Sequence, residues 1–243
     1  MFGRALRGTG ELLITAGVVT LLFVVYLLYW TDLENSRTQD RLSHGLTRQW
    51  ADGAVVPGPV PLPTTAGTAG TSGGPSPVAF AAPRLGDALA RLYIPRLGRD
   101  YHPVVVEGIS TADLELGPGH YPGTAEPGGK GNTVISGHRT TWGKPFNRLA
   151  DVQAGDHVVI ETRTSWITYR VTGEQIVQPD ATQVIGDVPP PIGDQPPQAD
   201  HLLTLTTCNP EYSAAQRLIL RAVLVGTEQK KAGAPPAALV GGT

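Results

Sequence analysis

The sequence predicts an all-β domain, a barrel or a sandwich of about eight short strands, carried behind an N-terminal membrane-spanning helix. Three observations lead there. Apolar, β-branched runs separated by turn residues recur through residues 84–227. The segment Leu12–Trp30 contains no charged residue. The chain also holds 30 glycines and 22 prolines among 243 residues, a content that does not suit a helical bundle.

The uncharged segment reads LLITAGVVTLLFVVYLLYW. At about 1.5 Å per residue its helix spans roughly 28 Å, close to the hydrocarbon thickness of a bilayer. Tyr26, Tyr29 and Trp30 gather at one end, where amphipathic rings favour the membrane interface. Arg4 and Arg7 precede the segment, and Asp32 and Glu34 follow it. The positive-inside rule therefore places residues 1–11 in the cytoplasm and everything after Trp30 outside. A buried core helix would carry a polar face, which this run lacks. A cleaved signal has a shorter apolar region and a small-residue cleavage site, so an uncleaved, single-pass anchor over 12–30 is expected.

Residues 31–83 read as a connection. Within it, 32–50 are polar and suit a short helix near the membrane. Residues 51–83 are mostly Pro, Gly, Ala, Thr and Ser, a composition that cannot offset the entropy of ordering and predicts a flexible linker. Residues 228–243 read as a disordered tail without a second apolar segment.

The strands are expected at Leu89–Ile94, Val104–Glu107, Thr133–Ser136, His157–Thr162, Trp166–Thr172, Gln175–Val177, Leu202–Thr206 and Arg217–Val225. Only Phe146–Asp151 suggests a helical turn. Closure of the sheet would remove its exposed edges.

With a net charge of −2, nothing in the composition suggests a dedicated nucleic-acid binder. A single cysteine excludes an internal disulfide framework and a multi-cysteine metal site. The 15 arginines against 4 lysines, with abundant Ala, Gly and Pro, fit a GC-rich bacterial genome.

The chemistry concentrates on three positions. Cys208 ends the apolar run LLTLTTC, and Asn209 and Pro210 turn the chain after it. A lone cysteine is commonly a small buried hydrophobe. A free thiol at a strand end, outside the cytoplasm, instead faces oxidation and calls for a function. A cysteine nucleophile needs a histidine partner. His138, in SGHRTTWG, follows a strand and a glycine that permits a tight turn. His44 and His102 look structural, His157 and His201 sit at strand starts, and loop-borne His120 remains a contender. Arg217 opens the last strand nine residues after Cys208, so the two can be neighbours across a rim. A guanidinium there can stabilise a thiolate or an oxyanion.

SGHRTTWGKPF around His138, TLTTCNPEYSAAQRLIL around Cys208 and Arg217, and the leading GPGHYPGT resemble a sortase over roughly 88–226. The closest likeness is to the class E housekeeping sortases of actinobacteria. The resemblance implies a closed eight-stranded β-barrel and a membrane-anchored cysteine transpeptidase. Cys208 would attack the Thr–Gly carbonyl of a C-terminal LAxTG- or LPxTG-type sorting signal on a secreted protein, with LAxTG expected for class E. The amine of a lipid II peptidoglycan stem would resolve the thioacyl enzyme. By the same resemblance His138 serves as acid and base, and Arg217 supports the oxyanion. His120 and Tyr121 are expected near the substrate groove, with Tyr121 contributing to a preference for Ala over Pro. Thr206 and Thr207 could donate to the oxyanion. The Pro-rich stretch 178–200 falls where sortases shape the pocket for the signal's first residues. Asp180, Asp187 and Asp194 are spread apart, so no metal is expected there, and no cofactor.

Three alternatives stand beside this reading. A pilus-assembling sortase would use a pilin lysine amine, but the linker lacks the aromatic anchor of a lid. A papain-type protease is excluded because His precedes Cys and no helix carries the nucleophile. A non-catalytic cell-wall binding module on a stalk would leave the Cys, His and Arg set as coincidence.

Overall fold

A computed structural model of the chain describes residues 2–51, 84–230 and 235–240. Eight strands form a closed barrel: β1 (Ala88–Tyr93), β2 (Val104–Glu107), β3 (Gly119–His120), β4 (Gly131–Ser136), β5 (His157–Glu161), β6 (Ser165–Val177), β7 (His201–Asn209) and β8 (Gln216–Gln229). They follow the order β1-β2-β3-β4-β7-β8-β6-β5 around the barrel. The β2–β3 and β4–β7 pairs are parallel and the others antiparallel. The barrel, not the sandwich, is therefore correct, and no sheet edge is left open.

The interior is aliphatic. Leu92, Val105, Ile135, Val158, Ile160, Leu203, Leu205, Leu218 and Leu220 meet there with Phe146 and Tyr169. Runs such as Val104–Val106 and Val158–Ile160 are β-branched and buried throughout, as expected of strands covered on both faces.

Eight strands are present, but not the same eight. The two segments expected at 166–172 and 175–177 are one strand, β6, which pairs with β8 from Ser165 to Val177. The ladder shifts register between Val171 and Gly173 instead of breaking; such a bulge bends a strand without ending it. Gly173 is needed there because the backbone of Gly193 packs against it, 3.1 Å from where a Cβ would lie. The eighth strand, β3, is only two residues long and lies in the glycine-rich GPGHYPG segment that reads as a loop. Its existence depends on partners distant in sequence, β2 on one side and β4 on the other.

A further helix, α2 (Thr111–Leu116), was also not expected. It is set by a capping box: the Asp113 amide donates to Ser110 Oγ, and the Ser110 amide donates to Asp113 Oδ2. The expected helical turn at 146–151 is a 3-10 turn over Leu149–Asp151.

The N-terminal region requires two corrections. Residues 2–51 are one continuous helix, α1 (Phe2–Ala51), rather than an anchor followed by a separate short helix. Its second half is docked on the barrel. Gln39 donates to the Leu116 carbonyl and accepts from the Val104 amide (2.6 and 2.7 Å). Asn35 donates to Glu115 O, Arg91 reaches the Ser43 carbonyl, Leu46 is buried, and Lys230 lies 3.9 Å from the Trp50 ring centroid. These positions recur every three or four residues and so share one helix face. That face is mostly polar, so hydropathy does not reveal it. The predicted span 12–30 lies inside α1, where Leu12, Leu13, Ile14, Leu21, Leu22 and Phe23 are exposed. The side chains at 24–25 and 27–30 lie outside the described residues. Among the described residues no helix is long and apolar enough to cross a membrane.

The C-terminal boundary also moves. β8 continues to Gln229, and Lys230 pairs with Glu161 at 2.7 Å, so 228–230 belong to the barrel. A one-turn helix, α3 (Ala237–Val240), follows. The linker expected at 51–83 lies, apart from Ala51, outside the described residues.

Candidate active site

β7 and β8 are antiparallel neighbours, and Cys208 lies directly opposite Arg217. The nine-residue spacing is thus a six-residue connection, 210–215, between two paired strand ends. Cys208 is a half-buried free thiol. Arg217 Nη1 donates to the carbonyls of Ala214 and Gln216, both at 3.0 Å, which holds the guanidinium at the rim.

His138 arrives from β4, the other neighbour of β7. The parallel β4–β7 ladder ends with Ser136 beside Thr206. Gly137 then donates its amide to Thr206 O (3.1 Å) and accepts Thr207 Oγ1 on its carbonyl (2.7 Å). Gly137 serves by size, since a Cβ would fall 2.7 Å from the Phe146 ring. The His138 carbonyl accepts the Phe146 amide at 3.0 Å, and Phe146 is itself buried in the core.

On the other side of His138 stands a residue that sequence reasoning missed. Arg139 Nη1 donates to the Cys208 carbonyl (3.1 Å) and to Asn209 Oδ1 (2.7 Å). Residues on both sides of His138 are therefore bonded to β7 on both sides of Cys208. The signal was present in the SGHRTT motif, but only the parallel pairing shows what Arg139 reaches.

The remaining predicted residues are placed as follows. His120 is buried within β3, not open to a groove. Its Nδ1 lies 2.7 Å from Glu107 Oε2, and its Nε2 is 3.1 Å from Ala125 O and from Thr124 Oγ1. It braces the turn that follows Tyr121, whose carbonyl accepts from Thr124 Oγ1. Tyr121 is half-buried. Thr207 is buried and its hydroxyl is committed to Gly137. Thr206 is buried on the same strand face as Cys208. Of the other histidines, His201 opens β7 with Nδ1 beside the Gly128 and Gly129 carbonyls. His44, His102 and His157 are exposed. Among the described residues, no cluster of His, Cys, Asp and Glu could hold a metal ion.

His138 is half-buried, and its Nε2 is enclosed without a hydrogen-bond partner among the described residues. Desolvation lowers its pKa below the ordinary 6.5, and the charge of Glu115 on α2 opposes part of that shift. The neutral imidazole therefore persists to lower pH than in a free histidine. The unfolded chain takes up the proton first, so this group makes the fold lose stability as pH falls from 6.5 toward the lowered folded value. We expect an NMR titration of His138 with a midpoint below 6.5; a midpoint above it would contradict the desolvated environment.

The barrel brings one cysteine, one histidine and one arginine to one rim from three adjacent strands. The sortase domain family model matches residues 92–225. Sortase SrtE1 of Streptomyces coelicolor is 32% identical over 241 residues, 96% of this chain and 61% of that protein. Sortase SrtE2 of the same organism is 30% identical over 243 residues, covering 93% of this chain and 84% of that protein. Among solved structures, sortase E from Streptomyces avermitilis is 40% identical with a TM-score of 0.58, over 64% of this chain and 99% of that one. The SrtF sortase from Corynebacterium diphtheriae is 35% identical with a TM-score of 0.60, over 65% of this chain and 94% of that one. The chain belongs to the sortase family. It spans about three-fifths of the length of SrtE1.

Proposed function

We propose that the protein is a membrane-anchored cysteine transpeptidase that cleaves a C-terminal LAxTG- or LPxTG-type sorting signal between Thr and Gly. The observation that carries this reading is the opposition of Cys208 and Arg217, with both flanks of His138 bonded to the same strand. Cys208 Sγ attacks the Thr carbonyl carbon as its thiol proton passes to the neutral imidazole of His138. The tetrahedral oxyanion is met by the Arg217 guanidinium, whose directional donors are fixed beside it. On collapse the C–N bond breaks, and the Gly amine leaves with a proton from His138. The product is a thioester on Cys208. An acceptor amine then attacks that carbonyl, His138 takes its proton, and the Cys208 thiolate departs. The acceptor is a peptidoglycan-precursor stem amine, and LAxTG is the preferred signal.

The uncharged run Leu12–Trp30 and its exposed leucines and isoleucine support a single-pass anchor, with the barrel outside the cell. Because α1 continues into the docked segment, the barrel would stand close to the bilayer.

The test is intact mass of the full chain in detergent micelles after incubation with an LAETG peptide, with and without an amine acceptor. A thioacyl adduct that the amine converts to ligated product is expected. Absence of adduct and product with both LAxTG and LPxTG peptides would overturn the reading.

A further inference from the structure

The face of β7 and β8 that carries Cys208 and Arg217 continues down the ladder. The next pair on that face is Thr206 with Ile219, and the one after is Thr204 with Arg221. Arg221 therefore lies about 13 Å along the strand from Arg217. Ile219, between them, packs with Val184 and Ile192 from the loop joining β6 to β7. That loop, 178–200, covers this face of the sheet.

Arg221 is fully buried beneath the loop, at 0% exposure. Its Nη2 donates to the Val184 carbonyl at 3.2 Å. Its Nε and Nη1 have no partner among the described residues. Burial lowers its pKa to about 10. A second buried side chain reaches the same turn from β4. Asn132 donates through Nδ2 to Val184 O (3.3 Å) and Gly186 O (3.1 Å), while its Oδ1 accepts from Thr204 Oγ1 (2.6 Å). The far end of the loop is held separately, by the Asp194 amide on Thr172 O and by Arg170 on Asp194.

Stability does not account for Arg221. A buried guanidinium with a single carbonyl acceptor loses more in desolvation than one hydrogen bond returns. An apolar side chain of similar length would fill the same space at lower cost. What the guanidinium adds is a fixed main-chain position at Val184, on the strand face that leads to the nucleophile.

We propose that Arg221, with Asn132, is a positioning residue that pins the main chain at Val184–Gly186 and so presets the groove for the part of the sorting signal preceding the scissile bond. This rests on the transpeptidase reading for its substrate, but the pinning itself does not.

The test compares Arg221→Met, which keeps length and removes the donors, with Arg221→Lys, which keeps one donor. A paired Asn132→Ala/Thr204→Val variant removes the second tether without leaving an orphan hydroxyl. All are made in the full chain. The measurements are thermal midpoint, steady-state kinetics with the LAETG peptide, and hydrogen exchange at residues 182–186 without peptide. For Arg221→Met we expect an unchanged or higher midpoint, faster exchange at 182–186 alone, and KM raised about tenfold with kcat within about threefold. Lys should restore part of KM. The Asn132/Thr204 variant should shift exchange and KM in the same direction, and it decides the matter if Arg221→Met does not fold. Wild-type KM with an unchanged loop in either variant would overturn the proposal, as would faster exchange throughout the barrel. An inactive wild type would sink the transpeptidase reading, while the exchange data would still decide whether Arg221 pins the loop.

Discussion

On the transpeptidase reading, Cys208→Ala is expected to abolish the thioacyl adduct and to lower peptide turnover by at least about 10³-fold, because the acyl group is carried on the Cys208 sulfur. Cys208 is the only cysteine in the chain, so no second thiol can substitute. The fold should survive the change. Cys208 is half-buried at a strand end, and its ladder with Arg217 runs through the backbone, so alanine should cost no more than about 1–2 kcal/mol of stability. The two effects are separable by measuring intact mass after peptide incubation and the thermal midpoint on the same preparation. A folded variant that still turns over peptide would remove Cys208 from the mechanism. A folded wild type with neither adduct nor turnover would instead favour the non-catalytic wall-binding module.

Arg217→Lys should reduce kcat/KM by about 10²-fold although the positive charge remains. The guanidinium already uses Nη1 on two carbonyls, Ala214 and Gln216. Its planar fork lets other N–H groups point elsewhere while those bonds hold it in place. An ammonium is a point charge on a flexible stem, so it cannot keep both carbonyls and still present a directed donor to an oxyanion. Iodoacetamide alkylation of Cys208 separates two roles. If Arg217 acts on the oxyanion, alkylation stays near the wild-type rate while turnover falls. Parallel losses would assign the arginine to the thiolate instead, and near-normal turnover would refute both.

How far the sequence could be read depended on whether its signals were local. β2 was delimited to the residue at Val104–Glu107, because three consecutive valines and one glutamate stand between Pro103 and Gly108. β5 was legible to within one residue, expected at His157–Thr162 and found at His157–Glu161. β3 was not, since Gly119 and His120 have no strand propensity of their own and pair only because β2 and β4 flank them. The S-x-x-D capping box of α2 is local, but six residues are too short for an apolar periodicity to mark the helix. The polar face of α1 failed for a different cause: Asn35, Gln39 and Ser43 meet backbone groups of the barrel, an interaction without a hydrophobic signature.

The site divides along the same line. Cys208, His138 and Arg217 could be named from residue type, strand ends and spacing, and the motifs around them resemble one family closely. Arg139 and Glu107 could not. Each acts on a residue that is near in space and far, or on another strand, in sequence: Arg139 on Cys208, and Glu107 on His120. His120 itself illustrates the difference, for its motif points to the groove while its buried ring braces a turn.

By itself, then, the sequence determined what depends on composition, periodicity and short motifs: an all-β domain, a candidate cysteine with a histidine and an arginine, and an uncharged N-terminal run. The tertiary structure decided the closure into a barrel, the parallel seating of β4 on β7 that brings both flanks of His138 to Cys208, and the placement of Arg221 under the β6–β7 loop. The physical reason is that strand pairing is a contact between distant segments. Its register is set by burial of one face against all the others at once, and no window along the chain contains that information.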